Sequence, residues 1–364
     1  FIYLIFFSSA YYCVSLISYY FFLIHNKAFL SFNLFSQFLN QENVSCIHKN
    51  YMDYLAIIIG LLLLIKGGDW LLDASVALSL QFKIPRIVIG MTIVSFATSA
   101  PELIVSVKSA LSGYPDFAMG NVIGSNIANL TFILGIVTVI SPIKVNNSFF
   151  KMDWPILMLA SLLFYAFVFF DATVSQGEGI VMVLFLIGFL VFLIKFQKTA
   201  VIEIDEIPTA REVYSYSKII YLLVIGGFCL WLGSEVLIKG AIGLAANLGV
   251  SERIISVTIV SVGTSIPELT TSLIAIINKE KAISLGNVIG SNIFNILAVM
   301  GITSIIQPVA VVDQVLLTRE FPWMLLISFV TLPLVLLPSK MRLGRLEGFI
   351  LLVIYTFFLL PFFT

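Results

Sequence analysis

The sequence predicts an all-α integral membrane protein, a ten-helix core of two inverted five-helix repeats whose broken helices form a site. Three observations carry this. Hydrophobic residues make up 60% of the 364 and charged residues only 11%, with a mean hydropathy of +1.07, where soluble domains carry about 25% charged residues. The apolar stretches are continuous and roughly 20 residues long, enough to cross a hydrocarbon core as helices. A closed barrel would show short alternating segments instead. The third observation is a block of sequence that recurs at a fixed offset and divides the chain in two.

The predicted spans are 54–78, 86–112, 117–141, 153–171, 177–196, 218–246, 254–278, 283–307, 321–338 and 346–363. With residue 54 starting outside, the inner loops collect 13 Lys and Arg residues, from Lys83 and Arg86 to Arg345, while the outer loops hold little beyond Arg253 and Arg319. The positive-inside rule then places both core termini outside a cell (inner) membrane and the 197–217 loop in the cytoplasm. Lys plus Arg (20) equals Asp plus Glu (20), so net charge points to no anionic partner, and no basic patch with interleaved aromatics suggests nucleic acid. Nothing in the sequence implies a protein partner beyond the lipid bilayer. Cys13, Cys46 and Cys229 have no metal-binding or redox spacing.

Residues 1–51 form an N-terminal hydrophobic leader: an aromatic-rich stretch to about Ile24, then a polar patch at Asn40–Asn43, before Met52 opens a clean apolar helix. It reads as an extra segment or, preferably, as a translation extension; it lacks the basic start of a signal peptide. The expected organisation beyond it is a first repeat at 52–196, a short linker at 197–217 carrying both signs of charge, and a second repeat at 218–364.

The repeat offset is 166 residues, with 20 of 46 positions identical between 90–135 and 256–301. Thr98-Ser99 matches Thr264-Ser265, Pro101-Glu102-Leu103 matches Pro267-Glu268-Leu269, and Gly120-Asn121-Val122-Ile123-Gly124-Ser125-Asn126-Ile127 recurs without a gap from Gly286 to Ile293. Weaker echoes, Gly67 with Gly233 and Asp69 with Glu235, extend each half to five helices. Five is odd, so the second half starts on the opposite side from the first and the two copies must be inverted, an arrangement that puts a binding site at their interface near the midplane.

The chemistry sits in these blocks. Pro101 and Pro267 lack an N–H, so the carbonyls of Ala97 and Gly263 lose their helical partners. In a bilayer such carbonyls are costly unless they face a cavity or a ligand. A glutamate follows each proline, and an ionised carboxylate at mid-helix costs roughly 2.5–3.5 kcal/mol on insertion scales. Its occurrence at two symmetry-related positions has no structural motive. Thr98, Ser99, Thr264 and Ser265 add hydroxyls one turn earlier. Asn121, Ser125 and Asn129, like Asn287, Ser291 and Asn295, fall at i, i+4 and i+8 on one helix face, and Gly120/Gly124 and Gly286/Gly290 let a neighbour approach closely. The donor set is hard oxygen throughout, which favours Ca2+ and Na+ over Zn2+ or Cu2+.

The paired Thr-Ser-x-Pro-Glu and Gly-Asn-x-x-Gly-Ser-Asn-x-x-Asn blocks resemble the α-repeats of the calcium/cation antiporter superfamily, and among them the prokaryotic sodium/calcium exchangers without a regulatory domain. The resemblance spans about 52–364. It implies a secondary active antiporter exchanging Ca2+ for Na+ by alternating access, with no cofactor and no catalytic residues. Glu102 and Glu268 would be central Ca2+ ligands; Thr98, Ser99, Ser125, Thr264, Ser265 and Ser291 would join them for Ca2+ or Na+; Asn129 and Asn295 would line the middle and Ser95 and Ser261 would lie further out. Several relatives carry Asp where this chain has Asn295, which leaves two carboxylates and opens the choice among Na+, H+ and K+ as coupling ion. A buried carboxylate can carry a proton as readily as a metal ion, so H+/Ca2+ antiport by the same residues is the nearest alternative and a passive cation channel a distant one. No nucleophile–base pair, nucleotide loop or metal-histidine set points to an enzyme. Asn126 and Asn292 face away from Asn121, and either the site or helix packing accounts for them; Asp69, Asp73, Glu235 and Lys239 read as structural.

Overall fold

The computed structural model describes residues 41–196, 214–247, 263–337 and 341–362. Two compact units are present, 1–52 and 53–364. The leader up to residue 40, most of the linker, and the start of the second motif including Ser261 lie outside the described residues.

The first helix, α1 (Gln41–Phe82), runs through the whole first predicted span. A broken pair follows: α2 (Arg86–Thr98) and α3 (Ala100–Leu111) meet at a 43° bend. Then come α4 (Pro115–Ile140), α5 (Phe149–Asp171) and α6 (Gln176–Phe196). After the linker the series repeats with α7 (Tyr216–Asn247), α8 (Ile266–Ile277), α9 (Lys281–Ile306), α10 (Leu316–Leu336) and α11 (Arg345–Leu359). Among the described residues seven helices are long and apolar enough to cross a membrane, and the bent pair adds an eighth span. The expected spans 254–278 and 346–363 are represented by the shorter α8 and α11.

Twin helices α1 and α7 cross on glycine. A Cβ on Gly67 would meet the Gly226 carbonyl at 2.8 Å, one on Gly60 the Gly233 carbonyl at 2.8 Å, and one on Gly240 the Asp53 carbonyl at 2.6 Å. As the residue number falls on one helix it rises on the other, so the two run antiparallel. Each hydrogen atom here is a contact that no other side chain permits, and Gly226→Leu is expected to force the helices apart. Overpacking of this kind costs about 1–3 kcal/mol, so the thermal midpoint of the purified protein should drop; an unchanged midpoint would contradict the crossing.

Short antiparallel strands tie loops of one half to loops of the other. β1 (Ile143–Lys144) pairs with β4 (Arg342–Leu343), and β2 (Thr173–Val174) with β3 (Val309–Ala310). At the β1/β4 end, Lys281 Nζ donates to the Pro142 carbonyl at 2.9 Å. At the other, the Asp116 carboxylate accepts the Val312 N–H at 2.8 Å. The main core lies between the halves, where α4 and α9 are the most buried of the long helices, with Met119, Val122, Ile123, Ile127, Val288, Ile289 and Ile293 fully buried beside their polar faces. Their outer neighbours α1, α5, α6 and α7 present large exposed apolar residues such as Leu62, Leu162, Leu184 and Val224, as lipid-facing helices do.

Candidate functional site: a buried oxygen-lined centre between the halves

The breaks fall at Ser99 and Ser265, with ψ of 3° and 7° respectively. Pro101 and Pro267 each sit in the first two positions of the next helix, where the missing N–H is not needed. Glu102 and Glu268 therefore occupy a first helical turn, whose dipole end favours negative charge. Thr98 ends the preceding half-helix, whose carbonyls and opposite dipole end favour a cation. In the second half the carbonyl of Gly263, expected to lose its partner to Pro267, accepts the Ser234 hydroxyl at 2.9 Å. One lone pair of that oxygen is therefore already engaged.

Contacts across the two halves bring the expected residues into one place. Glu102 and Glu268 are fully buried. Ser99 Oγ donates to Glu268 Oε1 at 3.3 Å. The Thr98 hydroxyl lies 3.3 Å from that of Ser291 and donates to Asn287 Oδ1 at 3.2 Å. Thr264 Oγ1 donates to Asn121 Oδ1 at 3.4 Å, and Asn295 Nδ2 to Ser125 Oγ at 3.0 Å. Ser95 Oγ faces the carbonyls of Gly90 at 2.8 Å and Asn287 at 3.0 Å, so its proton is shared between backbone acceptors.

What is left unpaired marks the centre. Buried polar atoms without a hydrogen-bond partner include both oxygens of Glu102, Oε2 of Glu268, both amide atoms of Asn129, Oδ1 of Asn295 and Oγ of Ser265. These make 7 of the 15 such atoms among the described residues. A buried acceptor left empty costs about 1–3 kcal/mol, so these atoms, all on residues of the two repeated blocks, mark a candidate site.

Close glycine packing holds on the described side. A Cβ on Gly286 would strike the Ile87 carbonyl, and one on Gly290 the Met91 Cα at 2.5 Å, so α9 presses directly on α2. A Cβ on Gly120 would meet Leu316 Cδ2 at 3.7 Å, an ordinary van der Waals contact. Asn126 is buried and donates to Met324 Sδ of α10 at 3.9 Å, and Asn292 Nδ2 donates to the Val288 carbonyl of its own helix at 2.7 Å. Glu235 pairs with Lys239 at 3.3 Å, both partly exposed, as a structural pair would.

Two features escaped the sequence. Asn129 and Asn295 each begin a π-helical turn, Asn129–Ile133 and Asn295–Met300, an irregularity that frequently marks functional sites and that no composition signal announces. Ser106 and Ser272 bond the asparagines behind the glutamates. Their identity at the repeat offset, one turn beyond Glu102 and Glu268, was the available signal.

A bundle of membrane-length helices around buried carboxylates, hydroxyls and amides defines a polytopic membrane protein with a polar interior. The profile of the family described as Sodium/calcium exchanger protein matches residues 52–195 and 218–364. Inner membrane protein YrbG of Escherichia coli (strain K12) is 32% identical over 75% of this chain and 86% of its own. Sodium/calcium exchanger MaX1 of Methanosarcina acetivorans is 28% identical over 86% of this chain and 99% of its own. The solved structure of the sodium-calcium exchanger NCX_Mj superposes with a TM-score of 0.72 at 27% identity, covering 85% of this chain and 98% of that one. The chain belongs to the sodium/calcium exchanger family: it is a multi-pass membrane transporter, a cation antiporter and not an enzyme.

Proposed function

We propose that the chain exchanges Ca2+ for Na+ by alternating access, with Glu102 and Glu268 as central ligands. Thr98, Ser99, Ser125, Thr264, Ser265, Ser291, Asn129 and Asn295 complete the shell; Ser95 is a more distant member, and its twin Ser261, outside the described residues, is assigned with it by the repeat. The observation that carries this reading is the concentration of unpaired buried oxygens at the two glutamates and their neighbours. Ca2+ takes about 6–8 oxygens, and two carboxylates supply up to four of them. Empty, the centre holds two negative charges in a low-dielectric interior, which opposes its transit across the membrane. One Ca2+ or two Na+ neutralises it. A third Na+ makes exchange electrogenic, and the requirement for a loaded carrier is what makes antiport obligatory.

The domain reading follows: inverted repeats at 52–196 and 218–364, a cytoplasmic linker, and core termini outside. The antiparallel crossing of twin helices α1 and α7 supports it. So do the loop contacts, each of which joins ends that this topology puts on one side. The experiment is radiolabelled Ca2+ uptake into proteoliposomes under imposed Na+, K+ and H+ gradients, one at a time. Uptake driven by Na+ alone is expected. Uptake driven by a pH gradient and indifferent to Na+ would replace this reading with H+/Ca2+ antiport, and net Ca2+ leak without a counter-ion would indicate a channel.

A further inference from the structure

We propose that Asn121 and Asn287, anchored by Ser106 and Ser272, are positioning residues that draw the hydroxyl protons of Thr264 and Thr98 away from the ion, so that those oxygens present lone pairs to it. A hydroxyl binds a cation through a lone pair, and its proton needs another acceptor. The inference rests on the cation-site reading above and concerns how the neutral ligands are aimed.

The geometry is the same in both halves. Asn121 Nδ2 donates to Ser106 Oγ at 3.0 Å and, through a longer contact of 3.4 Å, to the Glu102 carbonyl. Asn287 Nδ2 donates to Ser272 Oγ at 3.0 Å and to the Glu268 carbonyl at 3.4 Å. A backbone carbonyl only accepts, so the atom facing it must be the amide nitrogen. With both N–H groups directed within its own half, each amide turns its oxygen to the other half. Thr264 meets Asn121 Oδ1 at 3.4 Å and Thr98 meets Asn287 Oδ1 at 3.2 Å. For the Thr98 proton the Ser95 carbonyl and Ser291 Oγ, both at 3.3 Å, are the competing acceptors. Ser106, Ser272, Asn287 and Thr98 are fully buried, so water cannot replace a lost partner. One amide thus links the backbone at a glutamate to the threonine opposite. Asp at either position keeps the acceptor but loses both donors, and Gln is one methylene too long.

The test is a mutant cycle on the full-length protein in detergent, reading the concentrations of Na+, K+ and Ca2+ that half-maximally raise the thermal midpoint. Asn287→Ala and Thr98→Val should each raise that concentration about tenfold, the scale of one buried hydrogen bond. Their double mutant should stay near tenfold, because the two act as one unit. Asn287→Ala with Thr264→Val, which pairs residues of different braces, should reach about a hundredfold. Ser272→Ala should move binding in the same direction by less, and it covers the case in which Asn287→Ala does not fold. For Asn287→Ala and Ser272→Ala, which leave every ion ligand in place, exchange in proteoliposomes at saturating ion should remain within about twofold of the parent, since aiming a ligand alters the ion constant rather than the turnover. Multiplicative losses in both double mutants overturn the brace alone. A parent protein stabilised by none of the three cations overturns the cation site and the brace together.

Discussion

Glu102→Gln and Glu268→Gln should each lower Na+-driven Ca2+ uptake in proteoliposomes by about a hundredfold or more, while the protein still folds. Glutamine matches the shape of glutamate, so packing is retained and only the charge is lost. A divalent ion held by two carboxylates would then sit in a centre with one, and 1.4 kcal/mol of lost binding is already tenfold. Folding should be spared or helped. Among the described residues Glu102 has no side-chain hydrogen-bond partner, while Glu268 accepts from Ser99 with the Thr98 and Ser291 hydroxyls beside it; glutamine keeps an oxygen that can accept from them, so neutralising either removes a buried charge without stranding a network. Full folding with parental flux in either variant would remove that glutamate from the centre.

The second large effect is expected at Asn295. Its amide donates to Ser125 Oγ at 3.0 Å while Ser125 Oγ itself donates to the Val122 carbonyl at 3.2 Å. Asn295→Asp converts that donor into an acceptor, so Ser125 must turn its proton away from Val122 or leave two oxygens facing each other. It also raises the charge of the empty centre from two to three. Bound Ca2+ then leaves one charge uncompensated, and Ca2+/Ca2+ exchange should fall well below the parent's. That exchange should fall more steeply as pH rises, because a proton is the simplest neutraliser of the third carboxylate and is lost at high pH. Na+ can still supply three charges, so Na+-dependent exchange should be the better preserved. Equal losses in both modes, with no added pH dependence, would mean that charge count does not govern transit.

Legibility differed between the site and its supports. The two glutamates were legible because each stands beside a proline inside an apolar run, a local contradiction that recurs at one offset. Close packing at Gly286 and Gly290 was legible for the same reason, since spacing along one helix decides which face is small. The partners were not. That Ser99 reaches Glu268, that Asn295 reaches Ser125, and that Ser234 takes the Gly263 carbonyl all depend on how distant segments meet. Asp153 is buried with both oxygens unpaired and lies in the π turn Phe149–Asp153. Its echo, Glu320 before Phe321-Pro322, is displaced by one residue from the main offset, so the repeat does not pair the two.

By itself the sequence determined that the chain lives in lipid, that it is duplicated, and which side chains carry charge and oxygen into the apolar interior. These are properties of composition and of spacing along one helix, and no fold is needed to read them. Only the tertiary structure decided which oxygens are used up and which are left open. A hydrogen bond is a matter of a few tenths of an ångström between groups up to 198 residues apart in sequence. Such distances follow from glycine-mediated helix contacts and from π turns that re-aim Asn129 and Asn295, and neither is written in hydrophobic periodicity.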